Sequence, residues 1–407
     1  MPVVLAGAGG RQAAAAGAAP AASSVWRSFR GGELAYPVLL ALGAIDAAGY
    51  SIIGPVLPSL AITTAASPRT LGWLTASFPL TMLVGYLLAV RLLRISRPAA
   101  IFLGALALLA VGTLPFIFTN ALGALFAGRM VAGVGSGALW IAVTFRTLEY
   151  WPGQEYRCMS RVIAAYSVGA LLGPALGSLP GAHLPFAMYL VLLLVAVPAV
   201  LMLPTPAVRL PTEQDRSALR LRGFWFSALA VLFAMMGPGM LDGVLPLHFA
   251  TQLSQSQIGV AYAMTALLIA VAATGAARVR PTLALLVGGV ALIGGVAAAA
   301  MTGSVLAWLF ALAVIGLGTG ATETGSTGVL LDVVPTDRIV TAMVVWSQIG
   351  MVGYLLAPAL GAPLAQQYGF GAVALVPLLA GVAVVVAGAV SGTLTGRHRR
   401  ASGSAPS

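Results

Sequence analysis

The 407-residue chain has no lysine, three histidines and a single cysteine, and only 8% of its residues carry charge. Soluble domains hold about 25% charged residues. So little polar surface excludes a globular cytoplasmic enzyme and a secreted binding module. Cys158 stands alone, which rules out an intramolecular disulfide and a thiolate metal site. His183, His248 and His398 have no carboxylate or cysteine partner at ligand spacing, so neither a metal nor a cofactor is expected. There is no Walker-type phosphate loop, and nothing in the residue pattern points to catalysis.

What the chain has instead is apolar length. Hydrophobic residues make up 59% of it and the mean hydropathy is +0.99. The runs are long and continuously apolar, unlike the short alternating strands of a membrane barrel. At about 20 apolar residues per spanning helix, the sequence accommodates twelve spans. They fall near 35–60, 69–92, 98–118, 121–145, 158–181, 184–204, 223–249, 256–277, 281–302, 304–331, 337–363 and 369–391. The expected fold is an all-α integral membrane protein in which the lipid bilayer is the main partner.

All 21 basic residues are arginine, and they punctuate the apolar runs rather than forming the basic face that a nucleic-acid partner requires. Threading alternate connections onto two sides puts 19 arginines on one side and Arg69 alone on the other, with Arg129 inside a span. The positive-inside rule makes the arginine-rich side cytoplasmic, with both termini there. Arginine-only, alanine- and glycine-heavy usage points to the inner membrane of a high-GC bacterium. Residues 1–34 read as a disordered cytoplasmic tail rather than a cleaved leader, because no apolar core of leader length precedes Ser24. Residues 392–407 read as a second tail.

The sequence repeats itself at an offset near 184 residues. Residues 54–60 (GPVLPSL) match 242–248 (DGVLPLH), and 133–137 (GVGSG) match 316–320 (GLGTG). Glu149 and Pro152 match Asp332 and Pro335, and 173–177 (GPALG) match 357–361 (APALG). The matches keep their order, so two six-helix bundles are expected at 35–204 and 223–391, joined by a cytoplasmic linker at 205–222. Transporters built from repeats bind substrate near the midplane between them.

Three motifs resemble those of the major facilitator superfamily, and specifically its twelve-span proton-coupled drug antiporters. Span 1 carries Gly49-x5-Pro55-Val56-x-Pro58, and span 4 carries Leu125-x3-Arg129-x3-Gly133-x-Gly135. Span 5 carries Gly169-x3-Gly173-Pro174-x2-Gly177. The resemblance implies export by alternating access and a proton-relay role for Arg129. One departure stands out. The family's acidic residue between helices 2 and 3 is missing, since Gly85 is followed by Tyr86, Leu87, Leu88 and Ala89. A charge latch at that loop is therefore in doubt.

Charges inside spans are the strongest functional signal, because each costs about 2.5–3.5 kcal/mol at a helix centre. Asp46, Arg129, Asp242 and Glu323 are the candidates for proton coupling or substrate binding. Asp46 and Arg129 are expected to form a switchable pair, with a static ion pair as the alternative. Three acids against one base favour a cationic or neutral lipophilic substrate. Tyr50, Trp140, Tyr166, Trp346 and Gln348 are candidates for lining the cavity, where aromatic faces suit a flat cation.

Gating or helix packing is expected of Pro55, Pro58, Gly133, Glu149, Gly169, Gly173, Pro174, Gly177 and Asp332. Glu149 and Asp332 are placed to pair with arginines such as Arg94 and Arg280, and the span 5 glycines to face the other half. The leading reading is a monomeric proton-driven exporter of a drug or secondary metabolite. Two others stay open: uptake or facilitated diffusion of a small nutrient or organic solute, and a non-transporting membrane sensor.

Overall fold

The computed structural model describes residues 35–95, 98–150, 155–203, 219–334 and 338–391. Both expected tails, the core of the linker and Asp337 fall outside them. The described residues are helical throughout, with no strand among them. This follows from the solvent: a lipid-facing backbone must satisfy its own hydrogen bonds, and a helix does so within one segment.

Helix α1 has two parts, Ala35–Ser51 and Ile53–Thr64. Then come α2 (Pro68–Ile95), α3 (Pro98–Phe118), α4 (Leu122–Tyr150), α5 (Glu155–Gly177) and α6 (Leu184–Leu201). In the second half, α7 (Arg222–Gly243) runs on into a short turn of helix, Leu245–Phe249. After it come α8 (Gln255–Ala276), α9 (Pro281–Met301), α10 (Val305–Val333) and α11 (Ile339–Tyr368). A 3-10 turn at Phe370–Ala374 leads into α12 (Leu375–Ser391). Ten of these are long and apolar enough to cross a bilayer unaided, and the apolar stretches Ala164–Gly177 and Phe370–Val386 are shorter.

Proline sets the breaks. Pro55 lies in the first turn of the second part of α1, where its missing N–H has no intrahelical acceptor to serve. It therefore starts that segment rather than bending it. Pro58 lies inside the same segment and withdraws the donor that Gly54 O would otherwise accept. In α7 the break comes at Val244, with Pro246 in the first turn beyond it. Repeat-matched prolines thus interrupt the two repeat-matched helices.

Glycine sets the spacing within each half. A Cβ on Gly133 or Gly137 of α4 would collide with the α2 backbone at Phe78 or Met82. One on Gly316 or Gly320 of α10 would meet the α8 backbone at Thr265 or Ile269. Likewise Gly169 and Gly173 bring α5 onto the α1 backbone at Ala44 and Ala48, and Gly239 and Gly353 join α7 to α11. The same helix pairs are seated against each other in both halves. Two main hydrophobic clusters result, one from residues between 35 and 200 and one from residues between 226 and 384.

The span 5 glycines therefore differ from expectation in where they face. Gly169, Gly173 and Gly177 pack on α1 of their own half, because only a glycine stripe lets two backbones approach so closely. The other half meets α5 through the backbone of Pro174, whose carbonyl would lie 2.8 Å from a Cβ on Gly259 of α8.

Candidate functional site

Three of the four charged residues singled out inside the spans are buried. Asp46 is fully enclosed, Arg129 is 2% exposed and Asp242 is 5% exposed, while Glu323 is half-buried. Asp46 projects from the first part of α1 towards α5, where the Tyr166 hydroxyl donates to its Oδ2 at 2.5 Å. Trp140 of α4 stands edge-on to Tyr166 with ring centroids 4.5 Å apart. The second Asp46 oxygen makes no hydrogen bond among the described residues, although Ser136 of α4 stands close to the carboxylate.

Asp242, at the end of α7, repeats this chemistry in the other half. The Tyr354 hydroxyl of α11 donates to its Oδ2. Each half thus holds an aspartate on its first helix and a tyrosine on its fifth. Asp242 also rests against Gly54 of α1, the position aligned with it by the internal repeat, where an added Cβ would lie 2.9 Å from Oδ1. Matched positions that touch lie near the axis relating the two halves.

Tyr50 lies between the pairs. It sits one turn after Asp46 on α1, and its ring meets Tyr354 edge-on at 5.8 Å across the two halves. Asp46, Asp242 and Glu323 all lie within electrostatic reach of its hydroxyl. Tyr50 thus stands between the Asp46–Tyr166 pair and the Asp242–Tyr354 pair.

Arg129 does not join them as expected. No ion pair links it to Asp46; its Nη1 approaches Gly49 O at 3.4 Å, and its guanidinium lies 4.3 Å from the centre of the Phe78 ring. The physical reason is the geometry of α1. Asp46 is turned to α5 by Tyr166, while Arg129 enters from the α4 side beside the break, where Gly49 presents its carbonyl. Asp242, rather than Asp46, is the acid within its electrostatic reach. Arg129 borders a small cavity inside the first half, with Gly49, Phe78, Thr113 and Tyr189 on its wall.

The remaining candidates separate. Trp346 is buried away from the centre and donates its Nε1–H to Ser227 Oγ at 2.9 Å, tying α11 to α7. Its indole is spent on packing, because a buried N–H needs a partner. Gln348 is half-buried on α11. Glu149 pairs with Arg146, one turn earlier on α4, while the Arg94 side chain lies outside the described residues. Asp332 is exposed at the end of α10 and has no ion-pair partner among the described residues.

Two participants escaped the sequence reading, Tyr354 and Tyr189. The Tyr189 hydroxyl reaches the α1 backbone beside Gly49. A signal existed for Tyr354 alone: an acid in span 7 needs a hydroxyl donor, and span 11 is the repeat-equivalent of span 5.

The Major Facilitator Superfamily model matches residues 39–358. The chain belongs to that superfamily. Membership makes it a multi-pass membrane transporter of small molecules rather than an enzyme. A similar curated protein is the class G tetracycline resistance protein of Vibrio anguillarum, 30% identical over 157 residues. That segment covers 37% of this chain and 39% of the relative.

Solved structures share the fold at low identity. A bacterial homologue of the human lysosomal transporter Spinster, in an inward-facing and occupied conformation, is 14% identical with a TM-score of 0.64, covering 89% of this chain and 96% of its own. A point mutant of the nucleoside transporter NupG is 14% identical with a TM-score of 0.67, covering 88% and 99%. A POT family transporter bound to a thioalcohol-conjugated peptide is 11% identical with a TM-score of 0.71, covering 89% and 96%.

Proposed function

We propose that this superfamily member exports a small lipophilic compound, cationic or neutral, such as a drug or secondary metabolite, in exchange for protons. The observation that carries the reading is a buried aspartate in each half, each held by one tyrosine hydroxyl, with Tyr50 between the two pairs and aromatic rings beside them. Such a centre attracts a cation and presents π faces to a flat one. A carboxylate in an apolar cavity, held by one tyrosine, can trade that proton donor for a proton of its own or for a cationic substrate. The partial similarity to a tetracycline resistance protein supports the direction of transport.

Asp46 is assigned the coupling role, with Tyr166 and Trp140 beside it as the substrate wall. Arg129 is assigned a fixed cationic role at the α1 break. Both termini are assigned to the cytoplasm of a bacterial cell and the working unit to a monomer. The test uses purified protein in liposomes with a pH-sensitive dye inside and a panel of lipophilic cations, ethidium among them, added outside. Compound-driven proton movement, reduced at least tenfold in Asp46→Asn, is the expected result. Compound movement with no proton flux would overturn the exchange and make the protein a facilitator.

A further inference from the structure

The end of the molecule opposite the arginine-rich connections, its outer end on the charge rule, has the two halves in contact. Its two seams are repeat-equivalent: α5 meets α8, and α2 meets α11. Across the α2–α11 seam, among the described residues, a backbone donor meets a side-chain acceptor, Arg69 N–H to Gln366 Oε1 at 3.1 Å. The α5–α8 seam is different. The Gln255 side-chain Nε2 lies 2.8 Å from Gly177 O, 2.7 Å from Leu179 O and 2.9 Å from Gly181 O. Its Oε1 accepts from Ser59 Oγ at 2.5 Å, and the neighbouring Ser256 Oγ donates to Ser178 O at 2.7 Å.

The chemistry of this cluster is specific. The last carbonyls of a helix have no intrahelical donor and must find one elsewhere. Here the end of α5 and the turn after it find their donors in the other half of the protein. Three carbonyls accept and never donate, so the amide orientation of Gln255 is fixed: NH2 towards α5, oxygen towards Ser59. Two hydrogens serve three acceptors, so one is shared. Gln255 is also the first residue of α8, held rigid by a capping box between Ser254 and Gln257. One side chain thereby binds α1, the end of α5 and the start of α8 together.

We propose that Gln255 is the latch that holds the outer side shut, and that the two seams are unequal, with α5–α8 bolted by several side-chain donors and α2–α11 held by packing and the Arg69–Gln366 bond. The inference rests on the alternating-access part of the proposed function and on none of its proton or substrate assignments. Opening the outer side must break every Gln255 bond at once. Replacing it lowers the cost of opening and leaves the two bundles intact.

The experiment needs no substrate and no gradient. Spin labels at Ile62→Cys and Thr251→Cys, two exposed outer positions on opposite halves, are introduced with Cys158→Ala and read as a distance distribution in nanodiscs. Gln255→Leu removes all the bonds at similar volume and is expected to raise the ratio of long to short distances about tenfold, the scale of a lost net hydrogen bond or two. Gln255→Glu keeps the Ser59 bond but turns a carboxylate on three carbonyls, and is expected to open further. Gln366→Leu is the matched control and is expected to shift the ratio less.

Ser59→Ala, which removes one bond only, covers the case in which both Gln255 variants fail to fold. It is expected to raise the ratio about threefold. Distributions for Gln255→Leu, or for Ser59→Ala in that case, that superimpose on the parent would overturn the proposal. So would a Gln366→Leu shift as large as that of the Gln255 variant.

Discussion

At the scale of single residues, burial and partner decide role more sharply than residue type. Trp346 and Trp140 read alike in the sequence, as aromatics on helices flanking a cleft. Trp140 stands on Tyr166 next to Asp46, whereas the Trp346 indole N–H is committed to Ser227. Trp346→Phe keeps the ring and loses that bond. It is expected to lower stability by about 0.5–1.5 kcal/mol, visible as a lower melting temperature, with substrate affinity unchanged. A large loss of affinity at unchanged stability would return Trp346 to the binding site.

At the scale of helices, the hydrophobic runs and the prolines were legible because bilayer thickness and the missing proline N–H leave little choice. The span boundaries fall close to the helices, and the repeat-matched prolines of spans 1 and 7 lie just beyond breaks at Ile52 and Val244. Which face a glycine stripe presents was not legible. Both faces of α5 are apolar, and a one-dimensional pattern does not say which neighbour occupies the groove. Gly173→Val tests the observed contact. Its Cβ would lie 2.7 Å from Ala48 O, a backbone atom that cannot turn aside. The substitution is expected to cost about 1–3 kcal/mol, read from thermal unfolding in detergent. Valine at Gly275, where an added Cβ meets nothing within 4 Å, is expected to be tolerated.

At the scale of the whole molecule, the family and its twelve-helix design were readable from ordered motifs and from the internal repeat. The acids of the centre were readable too, because a charge is conspicuous in a chain with so few. The partnership of Arg129 was not readable, since a guanidinium on a backbone carbonyl leaves no mark in side-chain spacing. Nor was Gln255, because one glutamine at a helix start has no motif. The sidedness inferred from arginine counts gives a direct prediction. In a Cys158→Ala background, a membrane-impermeant maleimide added to intact cells is expected to label Thr251→Cys but not Arg278→Cys. Labelling of Arg278→Cys alone would invert the molecule.

The outer seams are built from residues with almost nothing to immobilise. Beyond the glutamines, closure brings Gly72 to Pro358 and Ala362, and Gly259 to Pro174 and Ser178. Glycine, alanine and proline forfeit no side-chain entropy when they are packed. Shutting these seams therefore freezes few rotors, and the balance between open and shut rests on contact and hydrogen-bond enthalpy. An equilibrium with so little entropy on either side shifts only weakly with temperature, so the ratio of open to shut molecules is expected to be nearly the same in cold and warm membranes.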